Sequence, residues 1–154
     1  MKINKQTKGF TIIEVVLVLA IAGLIFMMVF IALPALQRSQ RDAQRKNDLS
    51  RLNTALSSYQ SNNRGSLPTN WNTFVSKYVT LGTVDTFVDP SGTDYSVTDT
   101  GSLPSNFTAD TPVILVTPGS VCGKTEDALS PNQGTRKVAF QMKLEGSGIA
   151  CASN

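Results

Sequence analysis

The chain has 154 residues, room for one ordinary domain, or for about 100 residues of domain if a membrane segment claims one end. Fourteen Lys and Arg against eleven Asp and Glu give a net charge of +3 and a pI near 9.0, which invites a nucleic-acid or membrane-surface reading until the charges are placed. There is no histidine, so His-based acid–base catalysis, His-containing metal sites and Ser–His or Cys–His nucleophiles are excluded. Charged residues make up 16% of the chain, below the roughly 25% usual in soluble domains, and the surface is expected to be built from hydroxyls and amides.

Residues 1–9 are short and polar, with Lys2, Lys5 and Lys8. Phe10 to Leu33 then form an apolar run whose only clearly polar members are Thr11 and Glu14. As a helix this run is about 36 Å long, enough to cross a hydrocarbon core of about 30 Å. It exceeds the apolar region of a secretory signal and leads to Leu33-Pro34-Ala35-Leu36 and a charged helix, so cleavage after the run is not expected. Charge counting does not settle orientation: Arg38, Arg41, Arg45, Lys46 and Arg51 outnumber the three lysines in front and lean toward a cytoplasmic C-terminus. The cysteines lean the other way. Cys122 and Cys151 are the only two, and a single structural disulfide suits an oxidising compartment, against the alternative of two reduced buried thiols.

From Ala35 to about Asn62 there is neither Gly nor Pro, and Leu49, Leu52, Leu56 and Tyr59 make one apolar stripe at helical spacing. Asp42 before Arg45 and Lys46, and Asp48 before Arg51, are acid-before-base pairs that support the helix. Asn62-Asn63-Arg64-Gly65 is its stop signal. Trp71, Phe74, Val75 and Tyr78 predict a short amphipathic helix started by Pro68-Thr69-Asn70. Asp89-Pro90-Ser91-Gly92 reads as a tight turn, followed by a weak strand around Tyr95 to Val97. Pro112 to Pro118 reads as a strand bounded by prolines. Val138, Phe140, Met142 and Leu144 alternate with Lys137, Ala139, Gln141 and Lys143, predicting a half-buried strand. A last strand is expected over Gly148 to Ala152. These elements predict an α+β fold, a small antiparallel sheet laid over the stripe of the long helix.

The segment Lys8-Gly9-Phe10-Thr11-Ile12-Ile13-Glu14-Val15-Val16 carries the functional information. A carboxylate at a bilayer centre costs about 2.5–3.5 kcal/mol, and less near the interface. Glu14 therefore either pairs with a cation, such as the α-amine that cleavage between Gly9 and Phe10 would create on a neighbouring subunit, or snorkels to the headgroups. Gly9-Phe10-Thr11-Ile12-Ile13-Glu14, behind a basic leader and ahead of an apolar helix, resembles the class III signal of bacterial type IV pilins and pseudopilins. The resemblance covers residues 1–62 and is weak beyond them.

The resemblance implies a lollipop-like pilin fold: leader 1–9, transmembrane and assembly helix 10–34, amphipathic continuation 35–62, and a globular head 63–154 with a C-terminal disulfide loop. It implies that a prepilin peptidase cuts after Gly9 and N-methylates Phe10, and that Glu14 registers subunits during assembly. Gly23, with Pro34 a few residues later than the proline of many pilins, marks the region where such helices flex or melt. The implied partners are identical or related pilin subunits, an assembly platform with its motor ATPase, and membrane lipid before assembly. The precursor would span the cytoplasmic membrane once, head outward, before joining an extracellular filament. The late cysteine pair resembles the disulfide-bounded loop of major pilins, whereas Asp89, Asp94 and Asp99 around the Asp-Pro-x-Gly turn resemble the calcium-site neighbourhood of some pseudopilins. Turn acids with no metal are the alternative for those three.

Arg38, Arg41 and Arg45 share a helix face that could meet DNA or phospholipid, or be solvated or salt-bridged between subunits. Asn106-Phe107-Thr108 matches a glycosylation sequon. No cofactor, catalytic constellation or direct nucleic-acid ligand is expected. Two rivals to a pilin stand: a pseudopilin of a secretion or DNA-uptake apparatus, and a single-pass anchored binding protein with an unprocessed N-terminus. All three excess positive charges lie in the leader, so its removal leaves eleven basic against eleven acidic side chains.

Overall fold

The computed structural model describes residues 9–80, 87–99, 107–125 and 128–154. The chain divides into two compact units between Gln37 and Arg38. One helix, α1, runs from Ile12 to Asn62 and contains Pro34. Its residues up to Gln40 are exposed, apart from a half-buried Ala22.

In the second unit the predicted stripe is the packed face. Leu49, Leu52, Ala55 and Leu56 are buried and Tyr59 is partly buried against them. The helix stops where the turn residues predict: the Gly65 amide donates to the Gln60 carbonyl at 2.7 Å, with Arg64 and Gly65 both in the left-handed region. A Cβ on Gly65 would also lie 2.9 Å from the Arg136 guanidinium, so the position suits glycine twice over.

Helix α2, Trp71–Phe74, is capped by Asn70, whose side-chain oxygen accepts from the Thr73 amide at 3.0 Å. It runs into a π-helical turn, Val75–Val79, closed by a Thr80 amide to Val75 carbonyl bond. The wider turn brings Val79 into the core and leaves Val75 and Tyr78 partly buried, a change from the plain helical spacing predicted. Tyr59, Trp71, Phe74 and Tyr78 meet in an aromatic cluster with centroid separations of 5.1–5.7 Å.

The strands are β1 Ser96–Thr98, β2 Val113–Pro118, β3 Val121–Cys122, β4 Leu129–Ser130, β5 Val138–Lys143 and β6 Ile149–Ser153. The main sheet has the order β1-β2-β5-β6, and β3 pairs with β4 separately. β2, β5 and β6 are antiparallel as expected, but β1 joins β2 in parallel, so the sheet is mixed. The connection between β1 and β2, residues 99–112, is long enough for the crossover that a parallel pair requires.

The other correction concerns β5, predicted half-buried and in fact buried from Val138 to Met142. Ile114, Val116, Val138, Phe140 and Met142 face the α1 stripe in one core. The opposite face holds Leu115, Gln141 and Ala139, also buried. β3 lies against β5 and β6, and the Cys122 amide donates to the Ser153 hydroxyl at 3.2 Å. Cys122 and Cys151 are bonded, with Cα atoms 5.9 Å apart. The disulfide hairpin thus contributes the second cover that the alternating pattern of β5 does not announce.

Candidate functional site

Gly9 and Phe10 precede the first helical residue and are exposed, Phe10 at 84%. An accessible peptide bond is what a protease requires, and a Cβ on Gly9 would meet nothing within 4 Å among the described residues. Thr11 starts the helix: its carbonyl accepts from the Glu14 and Val15 amides at 3.2 and 3.3 Å. The Thr11 hydroxyl points at the Glu14 carboxylate at 3.5 Å. Thr11-x-x-Glu14 has the spacing of a capping box, a local role for Glu14 that the sequence displays and that the motif reading passed over. Glu14 also sits in the first helical turn, where the macrodipole favours a negative charge.

Phe10, Glu14, Val15, Val18 and Leu19 line one shallow depression, bringing Phe10 and the carboxylate onto one face. Beyond it the helix exposes apolar side chains all round through Leu36, among them Leu24, Phe26, Met28, Phe30 and Ile31. This stretch is long and apolar enough to cross a membrane. Full burial of each such side chain is worth about 1.5–3 kcal/mol, so the helix needs lipid or protein around it. Gly23 has open space where a Cβ would go. Glycine costs a helix about 1 kcal/mol relative to alanine, and no contact among the described residues explains it. Pro34 is accommodated inside α1 without ending the helix.

The arginine face is not a free basic surface. Arg41 lies over Glu145 with a fork of bonds, Nε to Oε1 at 2.8 Å and Nη2 to Oε2 at 2.6 Å. Arg45 is 1% exposed and grips Asp89 through Nε–Oδ1 at 2.6 Å and Nη2–Oδ2 at 3.0 Å. Only Arg38 is left wholly exposed. Asp42, expected to support the helix through Arg45 and Lys46, instead accepts from the Glu145 and Gly146 amides, both at 2.8 Å. The Asp48–Arg51 pair is present at 3.4 Å, and Asp48 also accepts from the Tyr95 hydroxyl at 2.8 Å. These partners are 44 to 104 residues away along the chain for Arg41, Asp42 and Arg45, so no local signal could have identified them.

Of the three acids weighed for calcium, Asp89 has both carboxylate oxygens committed to Arg45, and Asp94 and Asp99 are exposed. Among the described residues no group of three or more acidic or cysteine side chains could hold a metal. Burial pushes the Asp89 carboxyl up, but the hydrogen bonds from Arg45 and Ser91 outweigh it and hold it below its ordinary value. The Arg41 bonds likewise hold Glu145 down. For Asp48 burial wins, and its carboxyl is raised despite Tyr95 and Arg51. The lysines of the leader and Asn106 of the sequon lie outside the described residues.

Residues 4–30 match the family model of the prokaryotic N-terminal methylation motif. Searches of curated proteins and of solved structures find no match. The motif at the head of a long, exposed apolar helix fits a membrane-anchored subunit of the type IV pilin or pseudopilin type.

Proposed function

We propose that the chain is a prepilin, cut after Gly9 and N-methylated on Phe10, whose mature form polymerises through its apolar helix into a type IV pilus-like filament. The observation that carries this reading is the methylation motif over residues 4–30 coinciding with an exposed Gly9-Phe10 junction and Glu14 on the same depression. Removed from lipid, residues 10–36 would present apolar surface to water, worth roughly 25 cal/mol per Å2 on burial against neighbouring subunits. Identical head-to-tail contacts that do not close give an open fibre. Within it, Glu14 of one subunit would pair with the Phe10 amine of the next, and Gly23 and Pro34 would be the places where the helix yields. The proposed division is leader 1–9, assembly helix 10–34, amphipathic helix 35–62 and head 63–154.

A pseudopilin of a secretion or DNA-uptake apparatus is the second reading, favoured by the Asp89-Pro90-Ser91-Gly92 turn. The Cys122–Cys151 bond favours the pilin. Intact-mass and N-terminal peptide spectrometry of the protein from its membrane tests the processing: a chain starting at methylated Phe10 is expected, and an intact Met1 start would leave only an anchored binding protein. Electron micrographs of sheared surface filaments, with their subunit identified, separate pilus from pseudopilus.

A further inference from the structure

We propose that Arg45 is a built-in, covalently tethered cation that assembles three loops of the head, occupying a set of oxygen ligands that would otherwise call for a free cation. Four oxygens converge on this one buried side chain. Asp89 Oδ1 lies 2.6 Å from Nε and Asp89 Oδ2 3.0 Å from Nη2. The Ala109 carbonyl oxygen lies 3.1 Å from Nη2, and Glu145 Oε1 lies 3.3 Å from it. They come from three separate segments: the turn before β1, the approach to β2, and the β5–β6 hairpin.

Every one of these ligands is a carboxylate or carbonyl oxygen, the donor set that hard cations take. The Asp89 side chain is 0% exposed, and both carboxylates lie within 3.3 Å of the same nitrogen. Two ionised carboxylates so placed, one fully buried and the other 18% exposed, repel each other and lose hydration unless a cation sits between them. The guanidinium supplies that charge, and its fork matches Asp89 in bidentate fashion. Nη1 is buried with no hydrogen-bond partner among the described residues. The pocket therefore complements a positive charge with acceptors on one side, and not the whole five-donor fork. Arg41 and Asp42, one turn earlier, fix the Glu145 hairpin on the helix and keep the third ligand in place. The consequence is a head whose loops stay docked without divalent cations, whether or not the chain polymerises.

Chemical rescue tests this on the full chain in detergent micelles, read by hydrogen exchange at residues 87–93, 107–111 and 143–148. Wild-type protein should exchange identically with and without excess EDTA. Arg45→Ala should exchange roughly 100-fold faster in all three segments, the effect of breaking a buried ion pair. Guanidinium chloride at tens of millimolar, or calcium chloride, should recover most of the protection, and sodium chloride of equal ionic strength should not. Arg45→Met, similar in volume without the charge, should open the loops and be rescued by nothing that relies on an empty pocket. If Arg45→Ala does not fold, Arg45→Lys should keep the loops better protected than Arg45→Met. The proposal is overturned by EDTA loosening the wild type, by unchanged exchange in Arg45→Ala, by an opened Arg45→Ala that neither cation recovers or that sodium chloride recovers equally, or by Arg45→Lys as open as Arg45→Met.

Discussion

Removing the Cys122–Cys151 bond in a Cys122→Ala, Cys151→Ala double variant should destabilise the head strongly while leaving the membrane helix in place. The cysteines are 29 residues apart. In the chain-entropy model a loop of that length restricts the unfolded state by about 12 cal/mol/K, or about 3.6 kcal/mol at 25 °C. For a unit the size of Arg38–Asn154, with an unfolding entropy of about 2.1 cal/mol/K per residue, that is a fall of about 15 °C in Tm. The structure adds a local effect, because the bond pins β3 over the face that carries Leu115, Ala139 and Gln141. Amides of the β3–β4 hairpin should lose protection before those of β5, which remains flanked by β2 and β6. Thermal and urea unfolding of the full chain in micelles, followed by near-ultraviolet circular dichroism from Trp71, measures the first quantity, and hydrogen exchange the second. A loss below about 1 kcal/mol would refute the loop-entropy reasoning, and uniform loss of protection across the sheet would refute the idea that the hairpin is a separable cover.

Glu14→Ala should insert in membranes normally yet give few or no surface filaments by electron microscopy; undiminished filaments would show that the carboxylate serves only the helix start. Asp42→Ala leaves two amides without acceptors and should cost about 1–3 kcal/mol in urea unfolding, whereas Asp42→Asn, which keeps one acceptor, should cost less; equal losses would contradict the two-amide geometry. Acid should destabilise the head. Asp89 and Glu145 are held below their ordinary values when folded, so their contribution is complete above the unfolded carboxyl range of about 4. It is lost as pH falls through their lowered folded values. Asp48 has the opposite sign: raised on folding, it favours the fold below that range and loses this contribution as pH rises through its folded value. Urea midpoints from acid to neutral pH should therefore fall toward acid in wild type and fall less in Asp89→Asn; an equally steep profile in that variant would remove Asp89 from the account.

What the sequence determined alone is everything that depends on neighbours along the chain. The membrane-length apolar run, the Leu49, Leu52 and Leu56 stripe and the Asn70 cap are readable because helix periodicity and capping act over three or four residues. The strand around Val113 is readable from its β-branched run between prolines and that around Val138 by alternation, although alternation implied one wet face for β5. Tertiary structure decided the rest. The parallel entry of β1, the second cover over β5 and the partners of Arg41, Asp42 and Arg45 depend on segments up to 104 residues away. Local patterning fixes which face of a segment is apolar, but a buried charge is stable only where folding carries its counter-charge, and Arg45 reads as a surface residue until Asp89, Ala109 and Glu145 close around it.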